Sequence, residues 1–141
     1  MSETRELHGW WRLVSFDMET RGVTERQKPF GANAFGRLVL SPNGQMMAVM
    51  TAESRKAGQS DADHLALFRS MLAYTGHYRV DGDKFITKVD ASWNEAWTGT
   101  DQERFYELNG DRLEIVAAWT PHPLDPTSPP VRGILSWHRE N

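Results

Sequence analysis

Leu7-His8-Gly9-Trp10-Trp11-Arg12-Leu13-Val14-Ser15-Phe16 decides the fold. A glycine followed by two indoles and an alternating Leu/Val/Ser/Phe run reads as a first strand whose opening must plug something, because an indole is too large for a solvated edge. Its counterpart is Leu135-Ser136-Trp137-His138-Arg139 at the other end of the chain. If these two ends pair, the sheet between them closes on itself, and a closed antiparallel sheet of this size is a small barrel with an interior.

Between the ends, strand-like runs are separated by loops and by one helical stretch. Asp17 to Ala34 mixes charges with Gly22, Pro29 and Gly31 and predicts a long loop. Gly36 to Ser41, the turn Pro42-Asn43-Gly44 and Gln45 to Thr51 form the clearest hairpin. Ser60 reads as a helix N-cap with Asp63 completing it, and Leu65, Phe68, Met71 and Leu72 follow at helical spacing, giving one short helix across the outside or one end of the barrel. Strands then resume at Tyr74–Val80, Lys84–Trp93, Asp101–Leu108, Arg112–Thr120 and Val131–Arg139, with Asp-Gly and Asn-Gly turns between several of them. The reading is all-β: an eight-stranded antiparallel up-and-down barrel with one short inserted helix, occupying residues 1–141 as a single domain. Pro121, Pro123, Pro126, Pro129 and Pro130 keep the last connection out of the sheet, as a lid or a stiff connector.

Composition narrows the function classes. The chain has no cysteine, so disulfides and thiolate metal sites are excluded, which suits a reducing cytoplasm. Met1 to Leu7 is polar and precedes no apolar run long enough for a signal peptide or membrane span, so the expected location is cytoplasmic. A formal charge of −3 with acids and bases interleaved gives no face for nucleic acid and no anchor for a membrane. Six tryptophans and six methionines suit either a packed core or the lining of a cavity for a flat, greasy molecule.

Several short patterns together carry a family resemblance. Gly9-x-Trp11 near the start and an arginine, Arg139, ending the last strand resemble the calycin signature. Leu13-x-Ser15, Gly36-Arg37-Leu38, Ser41-Pro42-x-Gly44-x-Met46, Tyr74-x-Gly76-x-Tyr78, Gly99-Thr100-x-x-x-Arg104 and Leu135-x-Trp137-x-Arg139 are similar to the lipocalin-like domain proteins of bacteria and fungi. The resemblance implies an eight-stranded barrel closed at one end by Gly9, Trp11 and Arg139. It implies no single activity, although some members sit in biosynthetic pathways. Thr87 and Lys88 stand where many relatives carry histidine, so it brings no histidine chemistry to that strand.

Strand parity predicts the lining. With Trp11 inward, so are Leu13 and Ser15, while Trp10, Val14 and Phe16 face out. The same parity turns Met46, Met50, Tyr74, Tyr78, Phe85 and Thr87 inward, followed by Arg104, Tyr106, Trp119 and Trp137, and these ten are the candidate ligand-binding residues. Arg104 is the chemically distinctive member. A guanidinium in a barrel needs a partner, either a tyrosine, a backbone carbonyl or a carboxylate such as Asp90, or else the carboxylate, phenolate or enolate oxygen of a bound molecule. The five histidines, His8, His64, His77, His122 and His138, show no metal-ligand spacing, and no metal or cofactor is expected. His64 and His122 could still act as a base at the mouth.

The leading functional expectation is a small-molecule binding protein with a hydrophobic or aromatic ligand inside the barrel. The alternative is a cofactor-independent biosynthetic enzyme, a cyclase, isomerase or hydrolase, using the same cavity with Arg104 stabilising an oxyanion. Whether there is catalysis stays open. Outward Trp10, Val14, Phe16, Met47 and Val49 are expected to be covered by the chain's own helix, with a homodimer as the other explanation.

Overall fold

The computed structural model describes residues 6–121 and 126–140. Eight strands form a closed, sequentially ordered antiparallel barrel: β1 (Gly9–Thr20), β2 (Phe35–Leu40), β3 (Gln45–Thr51), β4 (Met71–Asp81), β5 (Lys84–Ser92), β6 (Asp101–Asn109), β7 (Arg112–Ala117) and β8 (Val131–Glu140). Closure is made by β1 against β8, with Trp11 opposite Arg139 and Leu13 opposite Trp137. One helix, α1 (Asp61–Arg69), and a 3-10 turn at Glu95–Trp97 complete the described elements. No helix among the described residues is long and apolar enough to cross a membrane.

The two ends of the barrel differ in their connections. The turns between β2 and β3, β4 and β5, and β6 and β7 are short and gather at the end that holds Gly9 and Arg139. Every long connection, including α1 and the 3-10 turn, lies at the other end. The interior between them holds Leu13, Leu38, Leu40, Met46, Met50 and Trp137, all buried.

Two bulges account for where alternation fails. Val14 is an extra residue between the pairs Leu13/Trp137 and Ser15/Ser136, so parity reverses after it. Phe16 consequently packs against the core and meets Phe30 edge-on at 5.0 Å, and Ser15 leaves the inward row. Both positions are the reverse of the expectation from unbroken alternation. The same shift lets β1 run on to Thr20, pairing Asp17–Thr20 with Val131–Ile134 where a loop is predicted. Asp17 stays outside, bound by Lys28 at 2.6 Å, and Glu19 by Arg132 at 2.9 Å. The second bulge places Asp90 between the pairs Thr75/Ala91 and Gly76/Val89. There a side chain at Gly76 would collide with the carbonyl oxygen of Lys88, so only glycine fits.

Ser60 caps α1 as predicted, accepting from Asp63 N at 3.1 Å while Asp63 accepts from Ser60 N. The helix is shorter than its apolar spacing suggests: Met71 and Leu72 belong to β4. It buries none of its own side chains, and it does not cover the outer patch: Trp10, Val14, Met47 and Val49 remain 55%, 45%, 52% and 43% exposed. The expectation that the helix packs on these residues is thus corrected. The helix turns instead toward the β5–β6 connection, where Phe68 meets Trp93 at 6.2 Å.

Candidate functional site

The closed end is built on Gly9, Trp11 and Arg139. The Arg139 guanidinium lies over the Trp11 ring at 4.3 Å and donates to His8 O at 2.7 Å, Glu6 O at 2.6 Å and Asp111 Oδ1 at 3.1 Å. Trp11 Nε1 donates to Leu7 O at 2.9 Å. Gly9 has φ +132°, and a Cβ there would sit 3.3 Å from Arg139 Nη1, so glycine leaves room for the arginine to cross the barrel floor.

Above this floor lies an enclosed cavity of about 50 Å³. Met46 and Met50 from β3, Tyr74 from β4, Phe85 from β5, Arg104 from β6 and Trp137 from β8 line it. Leu38, Ala48, Ile115 and Leu135, inward by the same parity, complete its sides. The wall also includes two residues that the sequence reading leaves out of the inward rows, Leu72 and Trp97. Leu72 fits the helical spacing as well as strand parity, which hid it. Trp97 sits in a connection, where alternation says nothing.

Trp97 roofs the cavity. Its ring meets Tyr74 edge-on at 5.3 Å and Trp93 at 5.1 Å, and Trp93 in turn lies 6.2 Å from Phe68 of α1. The turn that carries it is held by Asn94 Oδ1 accepting from Ala96 N at 3.1 Å and by Thr100 Oγ1 donating to Trp97 O at 2.6 Å.

Arg104 stands beneath this roof, its guanidinium 5.8 Å from the Trp97 ring centre. It donates from Nη1 to the Glu103 carbonyl at 2.9 Å and from Nη2 to Gln102 Oε1 at 3.0 Å, and has no carboxylate partner among the described residues. Asp90, bulged out of β5 and exposed, is not its counter-ion. Burial lowers the Arg104 pKa from its ordinary value, with the Tyr74 phenol opposing. Burial likewise raises the Tyr74 hydroxyl, with Arg104 opposing. At the deep end Trp137, 1% exposed, has an indole N–H with no acceptor among the described residues.

The other four candidates lie elsewhere. Tyr78 stacks on Phe85 at 5.2 Å and donates to Ser41 O at 3.2 Å, near the floor. Thr87, opposite Tyr78, is fully buried off the cavity wall. Tyr106 packs against the core away from the cavity and borders an open recess with Glu6, Asp83 and Leu108. Trp119 is past the end of β7, held between Arg21 at 5.1 Å and Arg132 at 4.6 Å. Parity cannot be counted through it because β7 stops at Ala117. His64 is exposed on α1, and His122 lies outside the described residues.

Residues 8–140 match the family model described as a lipocalin-like domain. The chain belongs to that family. Among curated proteins, the 4'-hydroxy-3'-methoxypropiophenone carrier protein ppsC of Aspergillus oryzae is 31% identical over 88 residues, covering 57% of this chain and 77% of that one. Among solved structures, an uncharacterized protein from Bacteroides eggerthii covers 94% of this chain and 98% of its own at 14% identity and a TM-score of 0.47. The family gives the barrel and its closure; the cavity wall belongs to this chain's own side chains.

Proposed function

We propose that this lipocalin-like protein is a carrier that holds a small, hydrophobic, aromatic molecule inside the barrel. The observation that carries the reading is the enclosed wall of methionine, leucine and aromatic side chains with a lone cation, Arg104, under the roof. A mostly apolar concavity with few convergent polar groups is the usual form of a small-molecule site. The carrier name of the Aspergillus relative, whose cargo is an aromatic ketone, supports the same class.

The free space of about 50 Å³ is far below the roughly 300–1,000 Å³ of ordinary ligand sites. Cargo therefore has to displace side chains. Met46 and Met50 are flexible enough to re-pack around it, and Trp97 rides on a short turn bounded by Gly99, whose φ of +84° marks a sharp reversal. Displacing Trp97 opens the cavity toward the end with the long connections.

Titrating the protein with 4'-hydroxy-3'-methoxypropiophenone while following tryptophan emission tests this. Saturable quenching is expected, and most of it is lost in Trp97→Phe. Filling the free space with Ala48→Met weakens the binding. No saturable change, and no rise in melting temperature at high ligand, would overturn the carrier reading. The enzymatic alternative would have to move its proton through Tyr74, because the cavity wall carries no histidine or carboxylate.

A further inference from the structure

The polar groups of the cavity are unbalanced in one direction. Arg104 spends two of its donors on neutral, local acceptors, the side chain two residues before it and the carbonyl of its own neighbour. Its Nε has no acceptor, and no carboxylate neutralises it among the described residues. The Trp137 indole N–H is also buried without an acceptor on the same wall. Tyr74 contributes a hydroxyl, and among the described residues no lining side chain contributes an anion. A half-buried cation and an unmatched buried donor are costly unless something supplies acceptors.

The two donors are at different depths. Arg104 pairs with Ala117 and Trp137 with Leu113, four residues apart along β7. That is about 13 Å of strand, shortened inside the barrel by the reach of both side chains. A ligand lying along the axis thus meets the cation with its outer end and the indole with its inner end.

We infer that the cargo is an aromatic anion, whose ionised oxygen pairs with Arg104 under the Trp97 roof while its ring lies toward Trp137. The inference rests on the carrier reading and specifies the ligand class for the same site. Carboxylate, sulfonate and acidic phenolate share the required chemistry, an anionic oxygen that accepts from the guanidinium fork. A neutral ring of the same shape fills the apolar wall and leaves Arg104 as it is.

Two dyes with the same fused and phenyl rings separate these cases: 1-anilinonaphthalene-8-sulfonate, and N-phenyl-1-naphthylamine, which lacks the sulfonate. The sulfonate is expected to bind about tenfold or more tighter to the unaltered protein. Arg104→Met should abolish that preference while leaving the neutral dye within about twofold, and Arg104→Lys should restore part of it. Ala48→Met should weaken both dyes. Equal affinities in the unaltered protein, or a preference that survives Arg104→Met, would overturn the anionic assignment with the carrier reading intact; dye binding that Ala48→Met leaves unchanged would put both dyes outside the cavity and overturn both the assignment and the carrier reading. Uptake of neither dye would overturn both.

Discussion

Two arginines sit over two tryptophans at opposite ends of this barrel, and their surroundings differ in kind. At the floor Arg139 covers Trp11 at 4.3 Å, with two backbone carbonyls and the Asp111 carboxylate taking its donors. At the roof Arg104 lies 5.8 Å from Trp97, bound to a neighbouring amide and its own strand. The first cation is matched by the fold and ties the N-terminal segment to the last strand. The second is half-buried with no carboxylate partner among the described residues, an arrangement that contributes little to stability and leaves an acceptor to be supplied from outside. The same residue type therefore closes the barrel at one end and equips it to recognise a ligand at the other.

The contrast can be broken most severely at the floor. Trp11→Ala, which empties the largest side chain of that end, should cost about 3–5 kcal/mol in urea unfolding. Arg139→Met removes the hydrogen bonds and the stacked cation while keeping much of the bulk. A loss of about 2–3 kcal/mol is expected, in line with charged hydrogen bonds and a partly buried cation–π contact. Arg104→Met should change stability by at most about 1 kcal/mol, in either direction, because it removes a desolvated charge along with its local bonds. A loss at Arg104 as large as that at Arg139 would erase the distinction between the two ends.

The smallest effect is in the alkaline range. Burial holds the proton on Tyr74 above its ordinary value, whereas the unfolded chain ionises near pH 10. Above that pH the unfolded state loses the proton first, so stability is full below about pH 10 and falls as pH rises toward the shifted value. Tyr74→Phe should flatten the decline in urea midpoint above about pH 10. Tyr78, raised for the same reason, keeps a share of the slope.

Much of the barrel is legible because its signals are local. The tight turns at Asn43-Gly44, Gly82 and Gly110 fix the hairpins, and the indoles and arginine at the two chain ends announce closure. Parity then places Met46, Met50, Tyr74, Phe85, Arg104 and Trp137 on the cavity wall. It fails where the ladder gains a residue, at Val14, or where a strand ends early, at Ala117, because a period-2 argument has no means of seeing an unpaired position. Phe16, Ser15 and Trp119 are misplaced for those reasons. Trp97 is invisible to it altogether, since a residue in a connection has no periodicity.

By itself, then, the sequence determined the closed eight-stranded sheet, the floor of Gly9, Trp11 and Arg139, and an arginine facing inward from β6. Only the tertiary structure decided that Arg104 has no carboxylate partner among the described residues, that Trp97 roofs a space of about 50 Å³, and that Tyr106 and Trp119 stand away from it. Strand pairing follows from turns and alternation, which are written in neighbouring residues. What balances a half-buried charge, and how much room is left beside it, depends on side chains brought together from seven strands and a connecting turn.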